Sequence, residues 1–200
     1  MIAIIDYGAG NIFSVKNALD YLGVENKLTA DKNEICAADE IILPGVGAFP
    51  WAMKMLRDSG LVDTIREEAR KKPFLGICLG MQLIFDKGYE FEETDGLRLI
   101  GGKVEKIDRK DMIIPHMGWN ELVINRDCPI LKSLPEHPYV YFVHSYAAVC
   151  DEANVSAYCD YGGKITALVH DGAYVYGAQF HPEKSGEVGL QMLRNFAELA

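Results

Sequence analysis

The sequence predicts an α/β fold: a central, mostly parallel sheet flanked by helices, with additional antiparallel strands in the second half. Three observations predict it. Residues 2–5 and 74–77 are short and apolar throughout, as strands buried on both faces must be. Between such runs, apolar residues recur at helical spacing. From about residue 103 the runs become short, are separated by Gly, Pro, Asp and Asn, and are interrupted by few helical patterns.

Taken in order, residues 2–5 form a buried strand that ends in the glycine-rich turn Asp6-Tyr7-Gly8-Ala9-Gly10-Asn11. From Ile12, the residues Val15, Ala18, Leu19 and Leu22 share one helical face, Lys16, Asn17 and Asp20 take the other, and Gly23 supplies the stop. Residues 24–28 restart a strand, and 40–43 run as another into Pro44-Gly45-Val46-Gly47. Helical patterns fill about 49–57 and 61–71 and close at Pro73. A further strand, 74–77, passes into a helix over 79–85 with only Cys78 between them. Alternation of this kind is the mark of βα units around a parallel sheet. In the second half, 103–107, 119–124, 139–143, 155–159, 166–169 and 174–180 read as antiparallel and mixed strands extending the same core. An amphipathic helix over about 187–199 closes the chain, presenting Val188, Leu190, Met192, Leu193 and Phe196. The acidic run 90–95 reads as a solvated loop. No repeat or linker divides the chain, so residues 1–200 are expected to form one domain.

Composition narrows the function. With 49% hydrophobic residues the chain can bury a sizeable core, and a net charge of -9 argues against holding nucleic acid by neutralising phosphates. A small-molecule or protein partner fits better. No apolar run approaches bilayer length, and the first residues lack the basic leader of a signal peptide, so a cytosolic setting is expected. Five cysteines, an odd number without a CxxC pair, suggest neither a disulfide framework nor a zinc site. Cysteine chemistry should then rest on one thiol.

That thiol is Cys78. Gly76-Ile77-Cys78-Leu79-Gly80 has the form of a nucleophile elbow, in which a strand turns sharply into a helix and the central residue projects in a strained conformation. Side chains at the glycine positions would collide across the turn, and the helix start aims free N–H groups at the sulfur, favouring the reactive thiolate. Cys36, Cys128, Cys150 and Cys159 read as ordinary buried cysteines. A thiol nucleophile needs a base, and the base needs an acceptor to fix its tautomer. His181-Pro182-Glu183, directly after the apolar run 174–180, can supply both.

Gly76 to Gln82 together with Gln179-Phe180-His181-Pro182-Glu183 resembles the class I glutamine amidotransferases. The resemblance implies a flavodoxin-like fold in which Cys78 attacks the carboxamide of glutamine, ammonia leaves with a proton from His181, and water releases glutamate from a γ-glutamyl thioester. Glu183 would orient His181. Pro44-Gly45-Val46-Gly47 lies where that family keeps its oxyanion loop, which makes Gly45, Val46, Gly47 and Leu79 the candidate oxyanion hole, with the N–H groups of Val46 and Leu79 as donors. An ordinary glycine turn is the alternative reading of that loop. Gln82, Ser145 and Tyr146 resemble the grip on the amino-acid end of glutamine; Gln82 at a cap or facing solvent is the alternative. Neither metal nor organic cofactor is implied.

Asp6-Tyr7-Gly8-Ala9-Gly10-Asn11, Pro115-His116-Met117-Gly118-Trp119-Asn120 and His181-Pro182-Glu183-Lys184-Ser185 resemble one branch of that family over essentially the full chain, the glutaminase subunits of imidazole glycerol phosphate synthases. This implies docking on a separate (β/α)8-barrel synthase subunit. The barrel would use the ammonia to make imidazole glycerol phosphate and aminoimidazole carboxamide ribotide in histidine biosynthesis. Asn11, Met117, Trp119, Tyr141 and Lys184 fall at positions resembling the docking face, although Met117 and Trp119 equally suit a core. The family also implies an oxyanion loop that sets fully only when the loaded synthase is docked. Rival readings are the glutaminase of another pathway, such as pyridoxal phosphate synthase, and a free-standing γ-glutamyl hydrolase. A catalytically silent binding module is a third, which an intact Cys78, His181 and Glu183 disfavour.

Overall fold

A computed structural model describes residues 1–200. The first half runs β1 (Ile2–Ile5), α1 (Ile12–Tyr21), β2 (Asn26–Thr29), α2 (Lys32–Ala37), β3 (Glu40–Gly45), α3 (Phe49–Asp58), α4 (Val62–Glu68), β4 (Phe74–Cys78) and α5 (Leu79–Leu83). The rest runs β5 (Lys87–Gly88), β6 (Thr94–Asp95), β7 (Gly102–Lys106), β8 (His116–Glu121), β9 (Val123–Ile124), β10 (Tyr139–His144), β11 (Tyr146–Cys150), β12 (Val155–Asp160), β13 (Lys164–His170), β14 (Val175–Ala178) and α6 (Gly186–Ala197).

Eight strands form the central sheet in the order β2-β1-β3-β4-β14-β13-β12-β9. The pairs from β2 to β14 are parallel, and those from β14 to β9 are antiparallel. Strand alternation sends Ile42, Leu75 and Ile77 to one face, where α1 and α6 cover them with Leu19, Leu193 and Phe196. Ile41, Leu43 and Phe74 go to the other, under Ile35 of α2, Phe49 and Leu56 of α3, Ile65 of α4 and Met81 of α5. Each such fully buried side chain contributes about 2 kcal/mol relative to exposure, which fixes the register of the inner strands.

The second half departs from the sequence reading. Residues 103–107 and 139–143 do not extend the central sheet: β7 joins β11, β5 and β6 in a four-stranded sheet, and β8 pairs only with β10. The run 119–124 is two strands, because Leu122 turns inward and its N–H donates to Pro138 O (2.8 Å), ending the β8–β10 ladder at Glu121. Helix α2 and strands β5, β6 and β11 were not foreseen, and β6 corrects the end of the run 90–95 from loop to strand. Asp31 starts α2 by accepting from the N–H groups of Asn33 (2.8 Å) and Glu34 (3.2 Å), a cap that Asp31 followed three residues later by Glu34 already signals. Cys36 is exposed and Cys150 half-buried, so neither is the buried cysteine expected; Cys128 and Cys159 are. No helix is long and apolar enough to cross a membrane.

One pairing builds the site. Strand β14 lies parallel beside β4 with Ala178 opposite Ile77, so the residues after Ala178 emerge next to Cys78 at the same edge of the sheet.

Candidate active site

Cys78 ends β4 and caps α5 with φ 55° and ψ −110°, a conformation that L-residues rarely adopt. The glycines on either side leave no alternative. A Cβ at Gly76 would lie 2.6 Å from Gly80 O, and one at Gly80 would lie 1.9 Å from Leu43 O. Packing against β3 therefore holds the elbow, and α5 is a single short turn rather than the helix over 79–85 that the sequence suggested.

His181 and Glu183 follow β14. His181 N donates to Tyr141 O (3.0 Å), which ties this segment to β10. The imidazole Nδ1 and Glu183 Oε1 are 2.8 Å apart, and the two side chains are only 3% and 1% exposed. Burial alone would lower the imidazole; the Cys78 sulfur and the Glu183 carboxylate together outweigh it and raise His181 to about 9. Its Nε2 meets no hydrogen-bond partner. An imidazolium held by a buried carboxylate can transfer a proton through Nε2, the nitrogen left free.

A cavity of about 300 Å³ gathers Val46, Gly47, Cys78, Leu79, Gln82, Ser145, Tyr146 and His181. Of the expected site residues, Gly45 and Glu183 stand behind this lining. Gly45 pairs with Cys78 and packs under the elbow, where a Cβ would lie 2.8 Å from Gly80 N. Gln82 neither faces solvent nor caps a helix: it is buried, and its Nε2 donates to Tyr146 O and Gln179 Oε1, both at 3.0 Å. Burial pushes His144 down to about 4, so it is a neutral ring beside the cavity, with Nδ1 donating to Tyr146 O at 2.8 Å. A larger groove of about 1150 Å³ between α3, α4 and residues 91–95 contains neither cysteine nor histidine. No cluster of three His, Cys, Asp or Glu side chains is placed to hold a metal ion.

Two residues of the site have no role in the sequence reading, although Gln179 stands in the motif that carries the resemblance. Glu90, assigned to a solvated loop, lines the cavity, and its Oε2 accepts from Phe49 N (2.8 Å) at the start of α3. Gln179 is fully buried with Nε2 4.0 Å from Cys78 Sγ. Its position two residues before His181 on an extended segment was a signal that both face the same way.

Three of the expected docking residues share the β8–β10 ladder. Trp119 and Tyr141 are directly opposite in the β8–β10 ladder with ring centroids 6.0 Å apart, and Met117 is opposite Val143, which lines the cavity. Met117 and Trp119 are 60% and 52% exposed, which removes the core alternative for both. Lys184 is exposed in the turn after Glu183, and Asn11 is half-buried at the start of α1 without capping it.

A family model for class I glutamine amidotransferases matches residues 3–199. The chain is 51% identical over 197 residues to imidazole glycerol phosphate synthase subunit HisH of Bacillus cereus (strain G9842), covering 98% of this chain and 93% of the relative. It is 49% identical over 201 residues to the protein of the same name from Listeria monocytogenes serotype 4a (strain HCC23), covering 100% and 96%. Among solved structures, a glutamine amidotransferase superposes with a TM-score of 0.77 at 22% identity, covering 100% of this chain and 98% of that one. That likeness concerns the fold.

Proposed function

Because the chain belongs to the class I glutamine amidotransferase family, we propose that it is the glutaminase subunit of an imidazole glycerol phosphate synthase, with residues 1–200 acting as one glutaminase domain. The observation that carries the chemistry is the strained Cys78 elbow sharing one small cavity with His181, whose Nδ1 is held by buried Glu183. The Cys78 thiolate attacks the side-chain carbonyl carbon of glutamine, forming a C–S bond and a tetrahedral oxyanion. Collapse breaks the C–N bond, and the departing nitrogen takes its proton from His181. Water, deprotonated by the same imidazole, then attacks the thioester and releases glutamate and the thiol. Backbone N–H groups of Val46 and Leu79 would serve the oxyanion, each contributing about 3 kcal/mol once aligned.

The amino-acid end of glutamine is matched by Gln82, Ser145 and Tyr146, with Glu90 adding a negative charge for the substrate ammonium. Exposed Met117 and Trp119 with half-buried Tyr141, together with Asn11 and Lys184, suit the docking face for the (β/α)8-barrel synthase subunit. Val143 links that face to the cavity wall, a short route for ammonia and for activation. No cofactor enters this reading. Five free cysteines accord with work in the reducing cytoplasm.

The test is glutamate release by the purified chain, alone and with a nucleotide-loaded synthase barrel, using Cys78→Ala as the blank. Strong stimulation that vanishes in Cys78→Ala and is blunted in Trp119→Ala supports the assignment. Equal turnover with and without the barrel overturns the subunit reading and leaves a free-standing γ-glutamyl hydrolase.

A further inference from the structure

A chain of hydrogen bonds behind the cavity has only one consistent direction, and it begins at a backbone carbonyl. Tyr146 O can only accept, so the Gln82 atom 3.0 Å away must be Nε2. The second proton of that nitrogen requires an acceptor, and the Gln179 atom at 3.0 Å is therefore Oε1. Turning the Gln179 amide over would set two NH2 groups against each other, and turning both amides would set the Gln82 oxygen against the Tyr146 carbonyl. With both protons of Gln82 Nε2 used inside the protein, its Oε1 is left as the free acceptor of a cavity-lining side chain. By the same logic Gln179 Nε2–H is aimed at Cys78 Sγ, 4.0 Å away. The residue is fully buried, and its backbone N–H is bound to Ala167 O at 2.9 Å, which fixes the main chain from which the side chain projects.

We infer that Gln179 is a positioning residue that serves both ends of the reaction through one carboxamide: its N–H stabilises sulfur charge on Cys78, and its oxygen turns Gln82 so that a carbonyl faces the ammonium of the bound amino acid. The inference rests on the glutaminase reading for its substrate half. The sulfur half is independent of that reading, because a thiolate needs stabilising whatever it attacks. The arrangement accounts for a buried polar side chain that neither forms part of the Cys78–His181–Glu183 set nor lines the cavity.

Two substitutions separate the two ends. Gln179→Met keeps the volume and removes both bonds. Gln179→Glu keeps an oxygen for Gln82 and replaces the N–H beside the sulfur with a second oxygen. The first readout is alkylation of Cys78 by iodoacetamide as a function of pH in the full chain, followed by peptide-resolved mass spectrometry so that exposed Cys36 does not interfere. The second is the KM and kcat for glutamine with the loaded barrel. Gln179→Met is expected to move half-maximal alkylation up by about one pH unit and to raise KM by about tenfold, the worth of one hydrogen bond to a charged group at each end. Gln179→Glu is expected to move the alkylation profile at least as far while KM stays within about threefold. A Met variant whose alkylation profile and KM are both unmoved, whatever its unfolding temperature, makes Gln179 a packing residue and overturns the inference. If the Met variant does not fold, the isosteric Glu variant decides: an unmoved or acid-shifted alkylation profile overturns it. If glutamine proves not to be turned over at all while the alkylation shift appears, the glutaminase reading fails and the sulfur half stands.

Discussion

A methyl group added at Gly80 would sit 1.9 Å from the Leu43 carbonyl oxygen, whereas one added at Gly47 would meet nothing within 4 Å. Gly47 lines the cavity, and Gly80 follows its lining residue Leu79. The elbow that carries Cys78 joins β4 to α5 and packs against β3, so its strained backbone is imposed by the surrounding packing. The Val46-Gly47 turn, just past the end of β3, stands free: Val46 is 43% exposed, and Gly47 has φ +102°. The nucleophile is thus preset by the fold, while the turn proposed to bind the oxyanion has room to move. Adjustability is concentrated where a docked partner would need it.

The largest effect tests the rigid side. Gly80→Ala is expected to cost about 4 kcal/mol or more, because the colliding atom is backbone and cannot step aside. Chemical denaturation measures it, and a loss below about 1 kcal/mol would mean that the elbow is not held by packing.

Next comes the acid–base pair. Glu183→Gln removes the charge that helps hold His181 near 9 and is expected to slow glutamate release by about 10²–10⁴-fold. The sign on pH follows from the pair. Protonated His181 persists up to its raised pKa, so the alkaline limb of the rate profile should move to lower pH in the Gln variant. An unmoved limb with a reduced rate would assign Glu183 to orientation alone.

On the loose side, Gly47→Ala has the opposite profile to Gly80→Ala. The new Cβ has space but sits at a φ that L-residues avoid, so folding should lose only about 1 kcal/mol. Barrel-stimulated turnover should fall by about tenfold or more if the turn must rearrange to place a donor. Equal destabilisation by the two substitutions would erase the contrast between the two walls.

What the sequence disclosed follows the same division. The elbow was legible because sterics act over five adjacent residues, and Gly76, Cys78 and Gly80 carry the whole constraint. The inner strands were legible because they are apolar throughout, and α2 was missed although Asp31 and Glu34 announce its start. The second half was harder because β8 and β9 are adjacent in sequence yet belong to different sheets, and only the inward turn of Leu122 separates them. Glu90 was hidden for a different reason. Its neighbours Glu92 and Glu93 are exposed as a solvated loop requires, but Glu90 turns inward and the run ends in strand β6 with Thr94 buried, neither of which composition reveals.

The smallest effect tests whether a rearrangement of the Val46-Gly47 turn would extend down β3. Glu40, at the other end of that strand, is 2% exposed, and its Oε1 has no hydrogen-bond partner. Its carboxyl is pushed up to about 7, by burial above all and also by the neighbouring Asp39, against the lowering effects of the Met1 ammonium and the N–H groups of Leu199 and Ala200. A folded-state pKa above the unfolded value of 4.5 means that the folded chain holds this proton longer. The residue therefore favours folding most below pH 4.5, and that contribution is lost as pH rises through 7. Glu40→Gln removes the ionisation, so the variant should be more stable than the parent at pH 8 by about 1 kcal/mol and indistinguishable near pH 4. Glutamine turnover at pH 8 should be unchanged, because Ile41, Ile42 and Leu43 lie fully buried between Glu40 and the turn. A change in barrel stimulation in this variant would show that the whole of β3 shifts with the oxyanion turn, and the boundary between the rigid and loose parts of the site would have to be redrawn at the strand's root.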